Sequence, residues 1–336
     1  MDWLPELSFI WAGLIAFAVL TYVVLDGFDL GLGILFPFAR SNRDRDLMMN
    51  SVAPVWDGNE TWLVLGGGGL FAVFPLAYAV VLPALYMPIT VMLLALVFRG
   101  VAFEYRWRAK RWRGVWDFSF FGGSLLATFT QGIALGALVQ GIEVENRAYA
   151  GGWWDWLTPF SILTGVAVTV GYALLGATWL NMKLEGRIQR HMRSLAWPLA
   201  VATLVFMGLV SFWTPFKDGV YFERWFAWPT ALFSGVVPLL VALAAFGMLR
   251  GLQRKADIQP FLCAQALFVL GFIGIGISFY PHMVPPSLTI ADAAAPDESL
   301  MFALVGTLVL LPLILSYTAY AYWVFRGKID PEEGYH

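Results

Sequence analysis

Histidine and cysteine are nearly missing from this chain. Three His and one Cys occur among 336 residues. The single thiol, Cys263, rules out an intrachain disulfide or a multi-thiolate metal site, and its apolar surroundings suit a small core residue. His191, His282 and His336 all fall outside the middle of any apolar run. A membrane b-type haem ordinarily needs histidine ligation, so the chain is not expected to hold a haem or other metal by itself. Charge is also sparse, at 13% Asp, Glu, Lys and Arg with a net of −2. No basic run stands apart from an apolar flank, which argues against a nucleic-acid partner. A P-loop and a strand-borne dinucleotide fingerprint are absent. The opening residues, Met1 to Glu6, lack a basic n-region. The first apolar segment is therefore expected to be retained as its own insertion signal.

What is abundant is apolar surface: 59% of residues are hydrophobic and the mean hydropathy is +0.70. That composition predicts an all-α, polytopic membrane protein forming a single integral membrane domain over 1–336. Runs of about 20 apolar residues suffice to cross a bilayer. They predict nine transmembrane helices, at about 8–38, 52–74, 76–103, 115–139, 159–181, 196–213, 228–249, 260–280 and 300–325. Four plus four spans with one left over would suit paired bundles. With the N-terminus outside, the basic clusters Arg40–Arg45, Arg106–Arg113, Lys183–Arg193, Arg250–Lys255 and Arg326–Lys328 all face the cytoplasm. Only Arg147, Lys217 and Arg224 face out, so the positive-inside rule predicts a cytoplasmic C-terminus. Aromatic residues gather near span ends, as in Trp153-Trp154-Asp155-Trp156, and read as an interfacial belt. Gly66 to Gly69 would let another backbone, or a cofactor, approach closely.

Ionisable residues inside such spans are the strongest functional signal, because each carboxylate at a bilayer centre costs roughly 2.5–3.5 kcal/mol. Asp26 and Asp29 interrupt an apolar run from Phe9 to Phe38 and, three apart, share a helix face. A break at Gly27 would instead put both at the headgroups. Asp57 and Glu60 are also three apart, at the start of the second span, where simple helix capping is an alternative for Asp57. Arg99 ends the third span. It suits an acid of the first or second span better than Glu104, five residues on, or else it snorkels to the surface. All map to the cytoplasmic leaflet, where a chain of carboxylates could relay protons inward.

These same residues lie in three recognisable motifs. Asp26-Gly27-Phe28-Asp29-Leu30-Gly31 and Asn50-Ser51-Val52-Ala53-Pro54-Val55-Trp56-Asp57-Gly58-Asn59-Glu60 resemble signatures of subunit II of cytochrome bd-type quinol oxidases. So does Phe98-Arg99 with Val101-Ala102-Phe103-Glu104-Tyr105-Arg106. The short connection between the sixth and seventh spans is similar to the cyanide-insensitive branch. The resemblance implies a nine-span subunit of two four-helix bundles plus one peripheral helix, in the bacterial inner membrane. It implies a partner, subunit I, that carries two b-type haems, haem d and the quinol-oxidising loop, and a complex that reduces dioxygen to water with cytoplasmic protons. It also allows a structural quinone and a small accessory subunit, alongside membrane lipid. Proton-path roles carry over to Asp26, Asp57, Glu104 and Arg108, and the residues' own pattern adds Asp29 and Glu60, with Arg99 as charge partner. Glu104 stands where Asp is common and Arg108 where Lys occurs. Glutamate can still relay a proton, whereas arginine stays charged, so Arg108 would act electrostatically. A stand-alone proton-coupled permease is the alternative reading, since buried acids and many spans would serve it as well.

Overall fold

A computed structural model describes residues 6–109 and 111–329. Lys110, His336 and most of the N-terminal hexapeptide lie outside the described residues. The chain is built from α1 (Leu7–Leu35), α2 (Asn42–Asn50), α3 (Trp56–Val73), α4 (Pro75–Ala84), α5 (Tyr86–Arg108), α6 (Arg113–Gln140) and α7 (Pro159–Lys183). They are followed by α8 (Gly186–Trp213), α9 (Gly219–Phe226), α10 (Thr230–Gln253), α11 (Gln259–Phe279), α12 (Ile290–Ala293) and α13 (Asp297–Val324). Two short antiparallel hairpins, β1 (Val144–Glu145) with β2 (Ala148–Tyr149) and β3 (His282–Val284) with β4 (Leu288–Thr289), complete the fold.

Among the described residues, eight helices are long and apolar enough to cross a membrane: α1, α5, α6, α7, α8, α10, α11 and α13. The segment expected at 52–74 is absent from that set. Its helix, α3, begins only at Trp56, after turns that include Pro54, and its first turns carry Asp57, Asn59 and Glu60. The run expected as one helix over 76–103 is two. Pro75 starts α4, the chain bends at Leu85, and α5 then runs on to Arg108. A proline at the first helical position is compatible with a helix start because its missing N–H would be unpaired there anyway. α8 begins at Gly186, well before the expected 196, because its first turns carry Arg187, Arg190 and Arg193 and so escape a hydropathy criterion. The loop residues after the first span form α2, capped where Ser41 accepts a hydrogen bond from the Asp44 N–H at 3.1 Å. Reciprocal capping by Thr158 and Ser161 starts α7.

α1 is the hub. It packs along α7, α3 and α6, and touches α11 and α13. α1 and α7 meet backbone to backbone at Gly31 and Gly176, where a Cβ on either residue would collide with the opposing main chain. One turn away, Phe28 stacks on Trp179 with ring centroids 4.1 Å apart. Two of the four buried apolar clusters among the described residues are extensive. The larger, around Phe28, Leu32, Phe120 and Leu180, lies at the arginine-rich end of the helices. The second joins Trp11, Phe74, Val80, Val284 and Leu300 at the opposite end, beneath the hairpins and α4. There the Ile142 N–H bonds the Pro285 carbonyl at 3.1 Å and the Ala295 N–H bonds the Val73 carbonyl at 2.9 Å. In the β1–β2 hairpin, partial burial and a 3.1 Å hydrogen bond to the Asp155 carboxylate push the Tyr149 hydroxyl up to about 12.

The α1–α7 contact predicts that Gly31→Ala destabilises the protein by about 1–3 kcal/mol or more, as overpacking against a backbone does. Thermal unfolding in detergent should show a lowered midpoint for Gly31→Ala and none for Gly13→Ala, whose Cβ would meet nothing within 4 Å.

Candidate functional site

Helical periodicity puts Tyr22, Asp26 and Asp29 on one face of α1, and α1 runs past Gly27 without a break. Both aspartates are fully buried, at 0% exposure. The helix break at Gly27 left open by the sequence does not occur, and both acids face protein. α3 contributes Asn59, buried, and Glu60, whose side chain keeps 23% of its surface. From α5 comes Arg99, also at 0% exposure. The Arg99 guanidinium is hydrogen-bonded and ion-paired to Glu60, and its Nη2 lies 4.0 Å from Asp26 Oδ1. Its other face covers the Phe120 ring, 5.8 Å from the centroid. Gly123 of α6 makes room for this, since a Cβ there would press on the Arg99 backbone.

Neutral groups extend this cluster in two directions. Asn59 Nδ2 donates to Asp29 Oδ2 at 2.7 Å and to the Leu25 carbonyl at 3.2 Å. The Tyr322 hydroxyl of α13 donates to Asn59 Oδ1 at 2.9 Å. On the other side Gln131 Nε2 donates to the Tyr22 oxygen at 2.6 Å, and Tyr172 donates to Gln131 Oε1 at 3.3 Å. The site thus gathers three carboxyl groups around one guanidinium in a low-dielectric interior, where unpaired charge is expensive. Both Asp26 oxygens lack a hydrogen-bond partner among the described residues.

The remaining candidates lie elsewhere. Asp57, Glu104 and Arg108 are exposed on the chain surface. None makes a side-chain hydrogen bond or ion pair among the described residues. Asp57 sits in the first turn of α3, three residues before Glu60, and caps nothing. Glu104 and Arg108 share an outward stripe of α5 with Val97 and Val101. Sequence reasoning did not find Tyr22, Gln131, Tyr172 or Tyr322. Tyr22 had a usable signal, one helical turn before Asp26; the other three arrive from distant segments. It also missed a second buried cation, Arg106, seven residues after Arg99 on the same face of α5. Arg106 pairs with Asp117 and, at 2.7 Å, with Asp46, while Arg113 also holds Asp46. Phe103, stacked on Trp56 at 4.9 Å, separates the two arginine clusters.

The two described histidines serve loops. His191 contacts the Phe38 carbonyl at 3.1 Å, and His282 opens β3. Among the described residues no group of three or more His, Cys, Asp or Glu side chains is arranged to hold a metal ion. The charge balance at Arg99 yields a stability prediction. Arg99→Met strands buried carboxylates and should cost about 3–5 kcal/mol. The triple variant that adds Asp26→Asn and Asp29→Asn should recover much of the thermal midpoint. An unchanged midpoint for Arg99→Met alone would refute the pairing.

Comparison with known proteins identifies the setting of this cluster. The family described as cytochrome bd terminal oxidase subunit II matches residues 7–325. The chain is 33% identical to cytochrome bd-I ubiquinol oxidase subunit 2 of Escherichia coli (strain K12), over 97% of this chain and 96% of that one. It is 31% identical to cytochrome bd ubiquinol oxidase subunit 2 of Bacillus subtilis (strain 168), over 98% and 99%. In the structure of bd oxidase from Geobacillus thermodenitrificans, one chain shares this fold with a TM-score of 0.78 at 17% identity, over 96% of this chain and 99% of that one. A match across nearly the whole chain, on a multi-pass helical fold, makes it a member of the cytochrome bd subunit II family and hence part of a quinol oxidase complex.

Proposed function

We propose that this subunit braces a haem-bearing subunit I and feeds it protons from the cytoplasm for the reduction of dioxygen to water. The observation that carries the reading is the excess of buried carboxyls over the lone guanidinium of Arg99. Charge balance there is reached by holding protons, which makes Asp26, Asp29 and Glu60 an exchangeable store. Glu60 is the part-exposed member, and Asp57 follows on the next turn out. In this reading protons arrive by way of Asp57 and Glu104, pass Glu60, and equilibrate with Asp26 and Asp29. Arg108 raises the local positive potential at the rim and stays charged. Arg99 holds the acids in place.

Exposed acids on helices bound for a bilayer also bear on the partner. Lipid would not tolerate Asp57 and Glu104 in contact with hydrocarbon. The α3–α5 face is therefore the one we assign to subunit I. Along it Gly67 and Gly68 leave open space for a close helix approach. In this reading α3 is the ninth span, joining the eight apolar helices in two four-helix bundles with one helix left at the periphery. The arginine-rich end and the C-terminus face the cytoplasm. The relatives named above are ubiquinol oxidases, and we take a quinol as the reductant here, oxidised on subunit I, where two b-type haems and haem d would reside. The short α8–α10 connection supports membership of the cyanide-insensitive branch.

In the two-subunit complex, Asp57→Asn and Glu104→Gln should each lower oxygen consumption and proton uptake together, while the haem absorption spectrum stays that of the parent. Full turnover with full uptake in both variants would overturn the proton route.

A further inference from the structure

We infer that Tyr322 is a positioning residue for proton delivery. It acts through Asn59, and Lys183 fastens the helix that carries it. The inference rests on the proton-path reading above and extends it to α13, a helix that sequence and family motifs leave without a role.

α13 lies along the outside of the chain. Leu300 is its one buried residue, and most of its apolar side chains face outward. It is attached near its two ends. At the first, the Trp11 indole donates to the Leu300 carbonyl at 3.0 Å. At the second, Lys183, 4% exposed at the end of α7, donates to the Phe325 carbonyl and, at 3.1 Å, to the Gly327 carbonyl. A cation on the last carbonyls of a helix is a favourable cap. The chain then turns around the α7–α8 corner. The Ile329 N–H bonds the Lys183 carbonyl at 2.9 Å, and Lys328 reaches the Leu184 carbonyl at 3.1 Å and Asp257 at 2.9 Å. α13 is a strap with a buckle at each end.

Between the buckles, Tyr322 is the residue that enters the carboxyl cluster. Its hydroxyl donates to Asn59 Oδ1, so the amide oxygen is committed. The amide nitrogen then faces the Leu25 carbonyl and Asp29 Oδ2. A backbone carbonyl only accepts, so Leu25 selects the same orientation. Asn59 has both N–H groups and its oxygen satisfied, and Asp29 Oδ2 is held as an acceptor. Without the Tyr322 hydroxyl the amide loses the partner that fixes its oxygen. The Leu25 carbonyl still keeps the amide nitrogen turned inward, but Asn59 is held less firmly and its hydrogen bond to Asp29 Oδ2 weakens. The strap thus sets how firmly Asp29 Oδ2 is held as an acceptor, without touching it.

The test uses the detergent-solubilised two-subunit oxidase with haem content verified. Infrared difference spectra, with Asp29→Asn assigning the Asp29 carboxyl band, compare the parent with Tyr322→Phe, Lys183→Met and Tyr320→Phe. Tyr322→Phe should shift that band and lower kcat roughly two- to tenfold, the size of one hydrogen bond, with the quinol KM unchanged. Lys183→Met should move the same band in the same direction and add nothing to Tyr322→Phe. Tyr320→Phe, exposed on the same helix, should change neither band nor rate. If Lys183→Met does not assemble, Tyr322→Phe decides alone. An unmoved band in Tyr322→Phe overturns the coupling through Asn59, and a moved band with parental kcat overturns its role in delivery. Parental kcat in Asp29→Asn overturns the proton-path reading itself, whatever the band in Tyr322→Phe does.

Discussion

A single guanidinium, removed from water and surrounded by more acid than it can neutralise, governs the arginine-rich half of this protein. Arg99 has no exposed surface, so its charge is tolerated only because Glu60 and Asp26 stand beside it. Those acids are in turn tolerated only because of Arg99. Removing one partner of such a buried pair costs more than the pair contributes, because the survivor is left bare in low dielectric. Three helices must therefore keep their relative positions, α1 for the aspartates, α3 for the glutamate and α5 for the arginine. The backbone contact of Gly31 with α7 and the space left by Gly123 on α6 hold the frame that makes this possible.

α5 carries the same device twice. Seven residues separate Arg99 from Arg106, which places both on one face, and both are fully buried. The outer one is matched by Asp46 of α2 and Asp117 of α6. Phe103 lies between them against Trp56 and Phe120. A third polar group, Asp257 with Gln189, Arg193 and Lys328, closes the corner where α7, α8 and the C-terminal segment meet. These clusters do different work. The one around Arg106 matches a single buried guanidinium with two acids, and the one around Asp257 ties loops and helix ends together beside solvent, where ion pairs contribute little each. In the one around Arg99 only Glu60 keeps exposed surface, and there the carboxyl groups outnumber the cation.

Much of the fold was legible because bilayer crossing imposes a crude rule, a long apolar run. That rule located α6, α7, α10, α11 and α13 to within a few residues. It failed where polar residues and prolines decide the helix start: α8 begins early on arginines, and α3 begins late, at Trp56, after the turns around Pro54. The bend at Leu85 was invisible because both sides of it are equally apolar. At the site, Asp26, Asp29, Glu60 and Arg99 stood out against an apolar background. Tyr22, Gln131, Tyr172 and Tyr322 did not, because amides and phenols carry no charge to mark them and their meeting depends on tertiary packing. Family motifs marked Asp57, Glu104 and Arg108, yet no pattern in the chain distinguishes the sealed acids from the outward-facing ones. Only the helix rotations do that.

The apolar plug formed by Trp11, Phe74, Val80, Val284 and Leu300 has an electrical meaning. Polar side chains that begin at Asp26 continue away from the arginine-rich end as far as Tyr22, Gln131 and Tyr172, and the second core beyond them is apolar. A field of 100 mV across a membrane does about 2.3 kcal/mol of work on each elementary charge. A proton-conducting protein dissipates that energy unless its far side is an insulator. On the proton route proposed above, the apolar core beneath the hairpins and α4 is that insulator, a dielectric stopper behind a path open to one face alone.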